Sequence, residues 1–232
     1  MNIPKIVTRN GAVALFAAVL LLHSNVMAGP PLLCEAFEIG SAKSLPWQGP
    51  DWTAVRPDYD GSRLIDDTLA LLNAETPVIV RMETLRRATV YARKDPKLAA
   101  ALLSRLKARA HEAEARGERN ALALFDAGYL IETYRQAHAI SIATREEYWK
   151  FSQDDPGKDP DGYGLVLKAI QYRGKDAEME FAAALIAAEG KRGYEEHLQR
   201  AVAGARDGSL LARNLERHFA HRGKGRPVFA SK

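Results

Sequence analysis

Helical spacing of apolar residues is the feature of this sequence that most constrains its fold. From Ser62 onward, apolar residues recur every three to four positions, which is the period of an α-helix with one buried face. No stretch alternates apolar and polar residues with the β-branched enrichment that favours a strand. We therefore predict an all-α protein whose helical body spans residues 62–220.

Capping residues divide this body into helices. The first is predicted over 62–74, and Thr76, as N-cap with Pro77 in the first turn, begins the second. Asp95 ends the second helix and caps a third, which ends near Gly117. Two further helices are predicted over 118–141 and 144–151, followed by a charged loop at 153–164. The last four helices are predicted over 164–173, 176–189, 192–206 and 209–220.

An internal repeat relates two parts of the body at a shift of 81 residues. In each copy a helix ends near a lysine, an aspartate caps the next helix, and Leu or Met and then Ala follow on its inner face. This pattern predicts stacked αα-hairpins, a short α-solenoid-like bundle; the alternative is chance agreement in an alanine-rich chain. The matching pairs are Arg87 and Lys168, Ala88 and Ala169, Tyr91 and Tyr172, Lys94 and Lys175, Asp95 and Asp176, Leu98 and Met179, and Ala101 and Ala182.

The segments KDPKLAAALLSRL (94–106) and KDAEMEFAAALIAAEG (175–190) resemble the turn and second helix of HEAT-type repeats. The second copy departs from that pattern with Ala177 in place of the turn proline. Both copies lack the arginine that commonly follows the first inward apolar residue, since Ala99 and Glu180 stand there. The resemblance implies a helical stack used for binding, and it implies no catalytic residue.

The first 28 residues have the pattern of a secretory signal peptide. Lys5 and Arg9 precede an apolar run over 11–22, and Val26 and Ala28 stand at the −3 and −1 positions of a cleavage site. A membrane-spanning helix needs roughly 17–25 apolar residues, which is more than this run supplies. We therefore predict removal of residues 1–28 and an exported protein, either periplasmic or secreted.

Residues 29–61 form a Pro/Gly/Trp-rich segment in which regular structure is disfavoured. We predict an irregular segment that packs over the end of the helical body, with Trp47 and Trp52 buried against it. The alternative is a binding loop that uses these tryptophans. Cys34 is the one cysteine, so no disulfide can form within the chain, and we expect its backbone to be mobile.

Charge is nearly balanced over most of the chain. The formal charge of +4 falls to +2 when the leader is removed, which gives no case for nucleic acid as a partner. Basic residues concentrate in the C-terminal part, and residues 221–232 are predicted to be a disordered basic tail. Such a tail is either a solvated terminus or a peripheral contact with an anionic envelope surface.

Local motifs of catalysis or cofactor binding are missing from the sequence. There is no phosphate-binding glycine loop, no nucleophile elbow and no His-Glu-x-x-His zinc motif, and the acidic loop at 154–162 fails the calcium-loop pattern. His218 and His221 without a nearby acid make a poor metal site, so we predict no metal and no cofactor. His138 on an apolar face and the repeat-related Tyr91 and Tyr172 are candidate interaction residues, although packing also explains them.

Three functional hypotheses follow. The favoured one is a protein- or peptide-binding or scaffolding module of the cell envelope, without catalytic residues. The alternative is a hydrolase or lyase acting on envelope polymers, with Glu83, Asp126 and Glu132 as possible acid or base groups. A structural envelope component tethered by its basic tail is a third hypothesis. The sequence identifies neither the ligand nor the oligomeric state.

Overall fold

The computed structural model describes residues 31–144, 161–188, 190 and 193–219. Over these residues the chain forms eight α-helices and one 3₁₀ turn, and strand-like structure there is limited to isolated bridge positions, among them the pair Trp47 and Val55. The predicted all-α class is confirmed. The elements are the 3₁₀ turn Gly61–Arg63, α1 (Leu64–Leu71), α2 (Val78–Ala92), α3 (Pro96–Ala115), α4 (Ala121–Thr144), α5 (Gly162–Arg173), α6 (Ala177–Ala187), α7 (Tyr194–Gly204) and α8 (Leu210–Phe219).

Helices α2, α4 and α6 occupy the centre of the molecule. Helix α2 packs against both α4 and α6, and it buries almost every side chain along its length. Helix α6 is alanine-rich and buries every residue from Met179 to Ala187, as expected of a helix that is apolar all round. Helix α3 keeps the one-sided pattern, with Leu102, Leu106 and Ala113 inward.

Two glycines let α4 and α5 approach closely. A Cβ atom at Gly128 would lie 2.5 Å from the carbonyl oxygen of Gly162, and one at Gly162 would lie 2.7 Å from the carbonyl oxygen of Gly128. Real side chains do not tolerate such distances, so both positions require glycine at this separation. The contact places Tyr163, at the start of α5, against the buried Glu132 of α4.

The two aspartates of the repeat cap their helices in the same way. Asp95 accepts hydrogen bonds from the amides of Lys97 and Leu98, and Asp176 accepts from the amides of Glu178 and Met179. These caps confirm the predicted equivalence of the two aspartates. The inner face differs between the copies, because Ala101 is exposed whereas Ala182 is fully buried.

The predicted start of α2 is wrong by one residue. Pro77 occupies the N-cap position, and the hydroxyl of Thr76 instead donates to the carbonyl oxygen of Leu71. Glu178 of α6 accepts from the amide of Ile79 at 3.1 Å. A carboxylate from another helix therefore satisfies an amide that sequence-local capping cannot reach.

The segment over 31–60 runs along α2 rather than over one end of the body. Leu32, Leu33, Phe37 and Leu45 are buried in the main core. Cys34 is half-buried and packs against that core, so the expectation of a mobile backbone there is wrong. The segment is an integral layer of the fold.

Several sequence predictions lie outside the described residues: the leader 1–28, most of the charged loop, the helix over 144–151 beyond Thr144, and the tail 221–232. Within the part of the chain that the structure describes, no helix has the length and apolar character needed to cross a membrane.

Candidate functional site

The structure brings Trp47 and Tyr91 together at the boundary between the N-terminal segment and α2. Their rings make an edge contact at 6.3 Å between centroids, and the guanidinium of Arg86 lies 4.7 Å from the ring of Trp47. The Tyr91 hydroxyl donates to the carbonyl oxygen of Pro46 and accepts from the amide of Arg56. These groups fasten an extended segment to a helix.

The other predicted interaction residues lie apart from this contact. Trp52 is half-buried, and its carbonyl oxygen accepts from Arg86. His138 is half-buried in α4, one turn beyond the fully buried Tyr134. Tyr172 lies at the end of α5, where Arg119 and Lys168 sit 5.7 and 5.6 Å from its ring centroid.

Glu83 is the centre of a buried ionic network. One of its carboxylate oxygens accepts from Arg86 Nε and from the amide of Phe37, and the other accepts from Arg86 Nη2 and Arg87 Nε, at distances of 2.6–3.0 Å. Burial alone would raise the pKa of Glu83, but the two arginines outweigh it and hold the pKa below its usual value. The other ends of the arginines donate to the carbonyl oxygens of Leu33 and Leu45. Glu83 therefore organises the N-terminal segment.

Asp126 of α4 makes a second buried ion pair with Arg81 of α2. The guanidinium donates to both carboxylate oxygens, at 3.0 and 3.1 Å, and also to the carbonyl oxygens of Leu72 and Asn73. Burial raises the pKa of Asp126 to about 6. Both groups are 1 % exposed or less, which makes them part of the core.

Two open depressions flank Arg173 at the α5–α6 turn. One, of about 410 Å³, is lined by Arg173, Lys175 and Arg206 together with Asp176 and Glu178. The other, of about 460 Å³, is lined by the following residues of α4, its preceding turn and α5: Glu118, Arg119, Asn120, Ala121, Leu122, Tyr172 and Arg173. Four exposed cations thus surround one edge of the molecule.

A chain of hydrogen bonds joins α5, α6 and α7. The hydroxyl of Tyr163 lies 2.8 Å from Nε2 of His197, and Nδ1 of His197 lies 2.5 Å from Oε2 of Glu180. The other oxygen of Glu180 accepts from Nε of Arg200 at 2.7 Å. Glu180 and His197 are each 6 % exposed, whereas Tyr163 is half-buried.

The proton on His197 follows from this geometry. Nδ1 of His197 lies 2.5 Å from Oε2 of Glu180 and 2.8 Å from Nη2 of Arg200, which can only donate. The contact with the carboxylate is the shorter of the two, and lone pairs facing each other at that distance would repel, so we assign the proton of the neutral ring to Nδ1, which donates it to Glu180. In the neutral imidazole, Nε2 is then an acceptor for the hydroxyl of Tyr163. Burial raises the pKa of Tyr163, so this hydroxyl keeps its proton at neutral pH.

The start of α7 lies against the same hydroxyl. Gly193 has φ +94°, and a Cβ there would sit 3.3 Å from the Tyr163 hydroxyl and from Nε2 of His197. Gly193 also has no side chain with which to cap α7. The first turn of α7 carries the carboxylates of Glu195 and Glu196.

Sequence reasoning missed this site because its members lie 17 residues apart on three helices. One signal was available, since Glu180 is a carboxylate inside an otherwise apolar, alanine-rich run. Of the carboxylates considered for catalysis, only Glu132 touches the site, through the amide of Tyr163 at 2.8 Å. Glu83 and Asp126 belong to the ion pairs described above.

No family model, curated protein or solved structure matches this chain. Among the described residues, no group of three or more His, Cys, Asp or Glu side chains is placed to hold a metal ion.

Proposed function

We propose that the protein is an exported binding or scaffolding module of the cell envelope, and that its α5–α6 unit binds an extended, acidic segment of a protein or peptide partner. The observation that carries this proposal is a difference between the two copies of the repeat. In the first copy, Arg87 and Tyr91 hold the backbone of residues 45–56. In the second, the equivalent Tyr172 borders an open depression together with Arg119 and Arg173, while the equivalent Lys168 lies beside Tyr172 and pairs with Glu114.

The first copy serves as an internal template for this binding mode. Arg87 donates to the carbonyl oxygen of Leu45, and the hydroxyl of Tyr91 contacts both Pro46 and Arg56. These are contacts to backbone atoms, which any extended peptide presents. Tyr172, at the same helix position in α5, and the exposed cations Arg119 and Arg173 beside it offer the same kinds of group to a second chain.

The charges around the second copy favour an acidic partner. The cations Arg119, Arg173, Lys175 and Arg206 are exposed. They outnumber the three lining carboxylates Glu118, Asp176 and Glu178. Asp176 pairs with Arg173 at 3.1 Å, and Glu118 pairs with Arg116. The solvent-facing potential of this edge is therefore positive, which attracts and orients an anionic ligand.

The repeat also supports the finer architecture. We propose that α2–α3 and α5–α6 are two copies of one αα-hairpin unit in a short solenoid-like bundle, because the Asp95 and Asp176 caps engage the same two amides of their helices. Export, inferred from the leader, places such a module where envelope proteins and peptides are available as partners.

A defined anionic probe tests the proposal. Binding of a fluorescein-labelled ten-residue oligoglutamate peptide is followed by fluorescence anisotropy at low salt, for the wild type and for the combined variant Arg119→Ala, Arg173→Ala, Arg206→Ala. We expect the variant to bind at least about tenfold more weakly, and wild-type binding to weaken as the ionic strength rises.

A charge-matched control separates a site from general attraction. The control carries Lys97→Ala, Arg105→Ala and Lys107→Ala on the exposed face of α3 and should bind like the wild type. Equal loss in both triple variants would overturn the proposal, and so would unchanged binding in the first.

A further inference from the structure

Tyr163, His197 and Glu180 are arranged as a hydroxyl, a base and an orienting carboxylate. His197 contacts both other groups through its two ring nitrogens, at 2.8 and 2.5 Å. Arg200 holds the second oxygen of Glu180, so the carboxylate is fixed from both sides. Such a chain of contacts is the general geometry of an activated nucleophile.

We propose that Tyr163 is a nucleophile that accepts acyl groups from activated carboxylic esters, with His197 as its general base. The Oη atom of Tyr163 forms a bond to the carbonyl carbon of the ester while its proton passes to Nε2 of His197. The bond between the carbonyl carbon and the alkoxy oxygen of the ester then breaks. The alkoxy oxygen keeps the electron pair of that bond, takes the proton from His197 and leaves as the alcohol. Water afterwards cleaves the tyrosyl ester and releases the carboxylic acid.

Three features of the site support this chemistry. The raised pKa of Tyr163 keeps the phenol protonated, so attack at neutral pH requires a base in contact, and His197 is in contact. Tyr163 is half-buried and can meet a small ester from solvent. Gly193 has no side chain where a Cβ would lie 3.3 Å from the Tyr163 hydroxyl, which leaves room beside that hydroxyl.

Glu180 acts through His197 and is a positioning residue. Its carboxylate holds the imidazole with Nδ1 protonated and stabilises the imidazolium that forms when the Tyr163 proton arrives. Glu180→Gln should therefore slow acetylation of Tyr163, and Glu180→Asp, which keeps the carboxylate, should restore part of the rate. A purely structural role would not distinguish the two variants in this way.

The test uses p-nitrophenyl acetate as the probe and the purified full chain. Release of p-nitrophenolate is followed by absorbance, and the acetylated residue is identified by mass spectrometry of proteolytic fragments. We expect acetyl on Tyr163 in the wild type, none at that position in Tyr163→Phe, and about 10²-fold slower acetylation of Tyr163 in His197→Gln.

A second tyrosine supplies the matched control. Tyr59 is also half-buried but donates to the carboxylate of Asp67 rather than to an imidazole, and Tyr59→Phe should leave acetylation of Tyr163 unchanged. Circular dichroism identifies any variant that fails to fold. In that case the proposal is judged by whether mass spectrometry finds acetyl on Tyr163 of the wild type. Absence of acetyl on Tyr163 in the wild type, or an unchanged rate in a folded His197→Gln, would overturn the proposal.

Discussion

Two buried glutamates of this protein each accept hydrogen bonds from basic side chains, but the two hydrogen-bond networks end on different kinds of group. Glu83 bonds to two arginines and a backbone amide, and the far ends of those arginines reach carbonyl oxygens of the N-terminal segment. Glu180 bonds to an arginine and a histidine, and the chain of contacts ends at the hydroxyl of the half-buried Tyr163. The first network ends on backbone carbonyl oxygens and holds a segment in place, whereas the second ends on the side chain of a residue that is partly accessible to solvent.

The group on which a buried network ends distinguishes a charge that stabilises the fold from one that could serve function. A network whose polar atoms all find partners within the protein contributes specificity of folding. A network that orients one accessible group is suited to binding or proton transfer. The two halves of the repeat show the same contrast, since residues 45–56 cover Tyr91 and Arg87 of the first copy while Tyr172 of the second borders a depression.

The largest expected effect is the loss of Glu83. Glu83→Gln leaves Arg86 and Arg87 with a neutral partner in the core, and we expect it to reduce the free energy of unfolding by about 3–5 kcal/mol. Urea unfolding of the variant measures this. Glu180→Gln, which changes a carboxylate beside the half-exposed Arg200, should cost clearly less; equal losses would remove the distinction between the networks.

Asp126, which pairs with Arg81 between α4 and α2, should make the free energy of unfolding depend on pH. Its folded-state pKa of about 6 lies above the value of about 3.9 in an unfolded chain, so the folded protein retains a proton that the unfolded chain releases. The contribution is complete below about pH 4 and disappears as the pH rises through about 6, on the order of 3 kcal/mol in all.

Unfolding free energies of wild type and Asp126→Asn at pH 4, 5, 6 and 7 give this contribution by difference. The wild type should lose stability relative to the variant as the pH rises across this range. A difference that is constant with pH would show that Asp126 is ionised throughout.

The two helix caps should contribute similar amounts to stability. Asp95→Ala and Asp176→Ala each remove two bonds to first-turn amides, and each should cost about 0.5–2 kcal/mol. Thermal unfolding checks this against Ser104→Ala on the exposed face of α3. An unchanged melting temperature in both Asp variants would remove the physical basis of the repeat.

The smallest expected effect is that of Cys34→Ser. Cys34 packs against the core at half burial, so the polar hydroxyl should cost at most about 1 kcal/mol. Non-reducing gels should show that any covalent dimer of the wild type is lost in the variant. A much larger loss of stability would place Cys34 inside the core rather than at its margin.

Local features of the sequence predicted the helices and their caps, since these depend on neighbouring residues. The Asp95 and Asp176 caps follow from that logic. The start of α2 could not be predicted in this way, because Glu178 of α6 accepts from the amide of Ile79 in the first turn of α2. The buried charges of α2 were equally hidden, since Arg81, Glu83 and Arg86 have the spacing of a solvated helix face and their partners lie far away in the sequence. Tyr163 and His197 meet only once three helices have packed.

Hydrogen–deuterium exchange tests most directly whether the two networks hold different regions. In Glu83→Gln, backbone amides over 31–56, including that of Phe37, which donates to Glu83, should exchange faster than in the wild type, while α5, α6 and α7 keep their protection. In Glu180→Gln, residues 31–56 should be unaffected. Equal loss of protection over 31–56 in both variants, or no loss in Glu83→Gln, would contradict the assignment of the Glu83 network to the N-terminal segment.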